Sequence, residues 1–238
     1  MTQGIVTPPE GPKIPELAVL AASQPDSSGL IQAMGVQEMK RIPMPMKLYE
    51  GEGFSISGPF MGAPQAAMLM ENLAKWGAKR FLFVGWCGSV TGSIAIGETL
   101  LVTGAFVDEG TSLHYGVDAL GRSVAPCETF TASIRESLTH GGVPFQEGKL
   151  WTTDGFYRET PERIRRFKDL GATGVEMESS ALFSVACYLK VSVAALMTVS
   201  DDISGLAWNK GFSTPAFKQG RKRTLDAIEY ILKSNESN

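Results

Sequence analysis

The chain has 238 residues and a mass of 25.6 kDa, and its 22 lysines and arginines against 25 aspartates and glutamates give a formal net charge of −3. With 43% hydrophobic and 20% charged residues it reads as one globular domain rather than a disordered chain, with a core large enough to need no disulfide or metal staple. The near-balanced charge offers no basic footprint for nucleic acid or an anionic membrane, and no run approaches the roughly 18 apolar residues of a membrane span.

Residues 1–16, with four prolines and two glycines, predict an extended N-terminal arm ahead of one domain over residues 17–238. Leu17 to Ala22 is a short continuous apolar run that predicts a buried strand, followed by a weaker helix over Ser28–Met34. Phe54 to Ser57 alternates like a strand and is broken by Gly58-Pro59. Ala66, Leu69, Met70, Leu73 and Trp76 space a helix over Gln65–Trp76, and Phe81 to Val84 is the next buried strand. Strands are expected at Thr99–Thr103, Phe106–Val107 and Gln146–Thr152, with a helix over Phe130–Thr139. A short strand near Gly174, a helix from about Glu178 to Leu189 and a strand over Val193–Val199 follow, and an amphipathic helix over Thr214–Leu232 closes the chain. This alternation predicts an α/β fold: a single domain with a central mixed twisted sheet flanked by helices.

Generic motifs identify little. Cys87, Cys127 and Cys187 are an odd, widely spaced set, and His114 and His140 fit no metal-ligand spacing. Met1 to Pro15 lacks the basic and apolar regions of a signal peptide. Together these predict a soluble, reduced, cytoplasmic protein without structural zinc. Gly85-Trp86-Cys87-Gly88 follows a strand but lacks GxGxxG spacing; GxxxxGK[ST] and GxSxG do not occur.

One stretch is more specific. Gly174-Val175-Glu176-Met177-Glu178-Ser179-Ser180-Ala181, followed by Val199-Ser200-Asp201-Asp202, resembles the signature of the nucleoside phosphorylase family, which includes purine nucleoside phosphorylases, uridine phosphorylases and nucleosidases. Gly58 to Ala67 resembles the family's GxGMGxPSAA turn, and Val84 to Ser89 its RVGTCG. Asp108 to Tyr115 and Asp154-Gly155-Phe156-Tyr157 are similar to the uridine phosphorylase branch. The resemblance implies cleavage of the N-glycosidic bond of a nucleoside, nominally phosphorolysis to free base and ribose 1-phosphate. It also implies a homo-oligomer, dimer or hexamer, and inorganic phosphate as co-substrate, with no other cofactor.

The chemistry makes sense of these residues. Cleavage builds positive charge on the ribose and negative charge on the departing base. The resemblance implies that Glu178 accepts the ribose hydroxyls in charge-assisted hydrogen bonds, with Met177 and Glu176 beside the sugar. Glu178 read without the resemblance is a helix-start acid favoured by the macrodipole. Asp201 is implied as the acid assisting the leaving base; the plain alternative is a strand-end cap on the following turn. Phe156 either stacks on the base or belongs to the core. Trp86, Cys87 and Gly88 are expected to line the pocket, and Arg163 to match, with a one-residue slip, an arginine that reads a pyrimidine.

The phosphate site departs from the pattern. The family's GDPxR becomes Ser23-Gln24-Pro25-Asp26-Ser27-Ser28, the arginine before Val-Gly becomes Phe83, and the small hydroxyl residue after that glycine becomes Trp86. Arg41, at the spacing of an arginine donated by a neighbouring subunit, is the one expected phosphate ligand left. Losing charge-assisted contacts of about 1.5–3 kcal/mol each leaves phosphate weakly held. Three readings stay open: a nucleosidase using water, a phosphorylase with rearranged ligands, and a nucleoside-binding member without turnover.

Overall fold

The computed structural model describes residues 4–40, 42–43 and 46–235. In chain order the elements are β1 (Leu17–Ala21), α1 (Gln24–Met34), β2 (Gln37–Glu38), β3 (Leu48–Glu50), β4 (Phe54–Ser57), α2 (Ala63–Lys75), β5 (Arg80–Ser89), β6 (Thr99–Asp108), β7 (Ser123–Val124), α3 (Glu128–His140), β8 (Gln146–Thr153), α4 (Pro161–Asp169), β9 (Ala172–Glu176), α5 (Ser179–Leu189), β10 (Ser192–Asp202), β11 (Asn209–Lys210) and α6 (Pro215–Asn235). Short 3-10 turns occupy Ser112–Tyr115 and Phe156–Arg158.

One mixed sheet runs β11-β10-β6-β8-β9-β5-β1-β4-β3-β2, and β10 also pairs with β5. That extra pairing closes β10, β6, β8, β9 and β5 into a ring. Strands β1, β4, β5 and β10 are mutually parallel, as are β6, β8 and β9. The two groups meet at antiparallel seams, β10 with β6 and β5 with β9.

Both faces of the sheet are covered, which is why its strands are near-continuous apolar runs. The period-2 alternation of β1 shows how one strand serves both faces. Ala18 and Leu20 join the core beneath α2 and α5, whereas Leu17, Val19 and Ala21 join the core beneath α1, α3 and α6. A smaller cluster under α4 is built on Trp151 and Phe167, stacked at 4.6 Å between ring centroids.

The differences from the sequence-based expectations have local causes. The first helix starts at Gln24, earlier than expected, because Ser23 caps it by accepting from the Asp26 amide at 3.1 Å and a proline occupies its first turn. Thr99–Thr103 and Phe106–Val107 are one continuous strand, β6. Helix α4 was not expected; its charged sequence hides two inward residues, Ile164 and Phe167. The N-terminal arm, as far as it is described, has no regular element, yet it is tied down. Trp76 donates its indole N–H to the Pro9 carbonyl at 2.9 Å, and Ile14 is buried.

Among the described residues no helix is long and apolar enough to cross a membrane, and no group of His, Cys, Asp and Glu is arranged to hold a metal ion.

Candidate active site

The strand registers bring the distant motifs to one place. On β5, Gly88 lies opposite Asp201 of β10 on one side and Val175 of β9 on the other. A Cβ on Gly88 would meet Asp201 Oδ2 at 3.1 Å and Val175 Cγ1 at 3.4 Å, so a side chain there would crowd the carboxylate. Glu176 ends β9, and Met177 and Glu178 turn the chain into α5.

The two glutamates divide the roles that the sequence left open for one. Glu176, fully within the fold, accepts from the Glu178 and Ser179 amides at 2.8 and 2.7 Å and from the Thr152 hydroxyl at 2.6 Å. It is therefore Glu176 that caps α5, with both its oxygens engaged inside the protein. Glu178 makes no cap hydrogen bond. Its Oε1 accepts instead from the Gly62 amide at 2.6 Å, which joins the Gly58–Gly62 turn to the Glu-Met-Glu segment. Gly62 has φ 86°, a backbone conformation that other residues adopt at a cost. Burial, reinforced by the Glu176 charge, pushes the Glu178 carboxyl up to about 8. The Met177 backbone also supports this carboxyl, and the Met177 side chain is half-buried.

Asp201 and Asp202 divide in the same way. Asp202 caps the turn after β10 by accepting from the Ser204 amide at 2.8 Å. Asp201, 7% exposed, accepts from the Ser200 hydroxyl at Oδ1 (2.5 Å) and from the Trp208 indole N–H at Oδ2 (2.8 Å).

Trp208, whose indole reaches Asp201, also lines a cavity of about 170 Å³ with Phe156, Tyr157, Glu159, Ile164 and Ile203, among others; Asp201 itself does not line it. Phe156 and Trp208 meet edge to face at 5.7 Å. Phe156 thus stands at the cavity rather than in the core. Trp208 and Glu159 were not singled out in the sequence: both lie in connecting segments without a motif. Arg163 is placed differently from the expectation. Its guanidinium pairs with Asp108 and lies over the Trp151 ring at 5.5 Å, and it does not line the cavity.

Cys87 faces the core, 2% exposed, and burial with the nearby Glu176 and Asp201 charges pushes its thiol far above the usual range. It is a core residue and does not line the cavity, unlike the expectation.

The corner expected to hold phosphate is rebuilt. Phe83 is fully buried and packs on Phe60 at 5.9 Å, so the position of the missing arginine is a core position. Trp86, two residues before Gly88 and on the same face of β5, donates its indole N–H to Asp26 Oδ2 at 2.6 Å. Arg221 of α6 donates from Nε to Asp26 Oδ1 at 2.5 Å and from Nη2 to the Pro25 carbonyl at 3.1 Å. Asp26 is 1% exposed; burial raises its carboxyl against the opposing pull of Ser23, Arg221 and Trp86. The Trp86 ring packs on Phe217 at 5.0 Å and Phe212 at 6.1 Å, and Phe212 lies 6.4 Å from Trp208. An aromatic wall therefore runs from the cavity at Phe156 to the Asp26 corner. Arg41 lies outside the described residues.

Comparison with known proteins agrees with this architecture. The model of the phosphorylase superfamily matches residues 16–233. The DeoD-type purine nucleoside phosphorylase of Clostridium novyi is 29% identical over 160 residues, 65% of this chain and 66% of that protein. The corresponding Bacillus cereus protein is 28% identical over 158 residues, again covering 65% of this chain and 66% of its own length. The chain thus matches just under two thirds of these relatives. Among solved structures, the purine nucleoside phosphorylase of Toxoplasma gondii superposes with TM-score 0.81 at 13% identity over all of both chains. Uridine phosphorylase from Vibrio fischeri gives 0.79 at 21% identity over 98% of this chain and 100% of its own. AMP nucleosidase from Bacteroides thetaiotaomicron gives 0.74 at 22% identity over 94% and 91%. At these identities the structural likeness shows the fold.

Proposed function

The chain belongs to the phosphorylase superfamily, and from that premise we propose that it cleaves the N-glycosidic bond of a nucleoside with water as the nucleophile, releasing the free base and ribose. The observation that carries the choice of water is Asp26. The corner in which the resemblance implies a phosphate dianion contains a buried carboxylate held by Trp86 and Arg221. Asp26 and Arg221 neutralise each other there, so this pair offers a phosphate dianion no net positive charge. A buried carboxylate there suits orienting a water and taking its proton.

In this reading the Glu178 carboxyl, steadied by the Gly62 amide, meets the ribose hydroxyls and works in its ionised form, and Met177 packs on the sugar. Phe156 and Trp208 hold the base between aromatic edges, and Asp201 accepts from it. Placing sugar, base and water together makes the attack effectively unimolecular. The positive charge developing on the ribose lies near Glu178 and Asp26, and that charge pairing strengthens only as the bond breaks. The homo-oligomer expected from the resemblance stays part of the proposal.

A second reading has one observation in its favour. Arg221 brings a guanidinium to the same corner from α6, so phosphorolysis with a rearranged ligand set would use Arg221 once Asp26 is protonated. Product analysis separates the two. Incubation with nucleoside and phosphate yields free ribose if water attacks and ribose 1-phosphate if phosphate does.

A further inference from the structure

We propose that Glu109 is a positioning residue of the sugar site: through Ser180 it fixes the first turn of α5, and so the direction in which Glu178 meets the ribose. The inference rests on the reading above that Glu178 meets the ribose hydroxyls. Glu109 directly follows β6 and is 3% exposed. Its Oε1 accepts from the Ser180 hydroxyl at 2.9 Å, and its Oε2 accepts from the Thr111 and Ser112 amides at 2.5 and 3.1 Å. A buried carboxylate is costly, and the partners that hold it here are neutral donors. An apolar side chain would fill the same space at lower cost, which points to geometry rather than stability as what the carboxylate supplies.

Ser180 is held from two sides. Its amide donates to Thr152 Oγ1 at 3.0 Å, and that hydroxyl donates to Glu176, the acid that caps the same helix. Glu109 takes the Ser180 hydroxyl from the end of β6, so residues of β6, β8 and β9 converge on the turn that begins at Glu178. Four residues on, the Ser184 and Ser112 hydroxyls lie 3.0 Å apart, a second tie between α5 and the 3-10 turn after Glu109. Without the Glu109 carboxylate, α5 keeps its cap on Glu176 and loses its tie to that side chain.

The neighbours of Glu109 in the chain serve the other side of the site. Gly110 donates its amide to Asp154 Oδ2 at 2.9 Å, two residues before Phe156. Asp108 accepts from the Trp151 indole N–H at 2.7 Å and pairs with Arg163. Three consecutive residues therefore connect the start of α5, which places Glu178, to the segment that places Phe156. A shift there moves the sugar contact relative to the base contact, and a displacement of about 1 Å at a reacting centre can cost about 100-fold in rate.

The test measures adenine release from adenosine and from 2′,3′-dideoxyadenosine, which lacks the hydroxyls assigned to Glu178. Glu109→Ala should lower kcat/KM on adenosine by about 10- to 100-fold and leave dideoxyadenosine within about threefold of wild type. Ser180→Ala removes a single hydroxyl and keeps the amides on Glu109, so it serves if Glu109→Ala does not fold. It should lose about 3- to 10-fold on adenosine in the same pattern. In a Glu178→Gln background either substitution should cost about twofold or less, because the group it positions is already gone. A purely structural role would lower both nucleosides equally and multiply with Glu178→Gln. Either result overturns the assignment of Glu109 alone, as does wild-type turnover of adenosine by both variants. A wild-type protein that releases adenine from neither nucleoside overturns the nucleoside-cleavage reading and this inference with it.

Discussion

The Gly62 amide donates to Glu178 Oε1 at 2.6 Å across 116 positions of sequence. That hydrogen bond holds Oε1 of the carboxyl, and it ties the turn after β4 to the start of α5.

The first prediction follows from that relationship. Glu178→Gln keeps the size of the side chain but loses charge-assisted acceptance of the ribose hydroxyls. Nucleoside cleavage should fall by about 100-fold or more, with an unchanged circular dichroism spectrum. Gly62→Ala should act in the same direction, because a Cβ strains the backbone at φ 86° and moves the donor. Steady-state kinetics of both variants check this, and wild-type rates in Glu178→Gln would contradict it.

Glu176 should behave differently from its neighbour. Glu176→Ala leaves the Glu178 and Ser179 amides and the Thr152 hydroxyl without their acceptor. Unsatisfied buried groups cost roughly 1–3 kcal/mol each, so the three together set a loss of about 3–9 kcal/mol, read as a lower denaturant midpoint. Glu178→Ala should cost less, since it orphans only the Gly62 amide.

The paired glutamates and aspartates show what the sequence contains and what it hides. The apolar runs and their alternation were enough for the α/β sheet, because burial on both faces leaves a direct imprint on composition. The Glu-Met-Glu and Ser-Asp-Asp segments, distant in sequence, come together on either side of β5. Which acid of each pair caps and which faces the pocket depends on register and side-chain direction, and adjacent identical residues do not reveal that. Asp26 and Arg221, 195 positions apart, meet only because α6 packs against α1. Trp208 and Glu159 lie in connecting segments where no periodicity marks them.

Stability should fall as pH rises through the neutral range. The Glu159 and Glu178 carboxyls titrate near 7 and 8 in the folded protein, above the ordinary 4.5. Between those limits the unfolded chain binds fewer protons than the folded one, so the unfolding free energy decreases with pH. The Tm should be highest near about pH 5 and decline toward about pH 9, with Glu159→Gln and Glu178→Gln each flattening the decline. A Tm that rises steadily over that interval would contradict the placement of these groups.

Trp208→Phe keeps an aromatic side chain at the cavity and removes the indole donor to Asp201. Activity should drop by roughly 10-fold, the equivalent of one hydrogen bond to a charged group at about 1.5 kcal/mol, with little change in Tm. Trp208→Ala should lose more, because the base then lacks one of its walls.

The most direct test of the account is the initial rate of free-base release from adenosine as inorganic phosphate is titrated from none upward. With Asp26 in the phosphate corner, release should proceed without phosphate and show no saturable acceleration when it is added, and Asp26→Asn should slow it. Release that occurs only with phosphate and saturates with its concentration would contradict water as the nucleophile and make Arg221 the ligand to pursue.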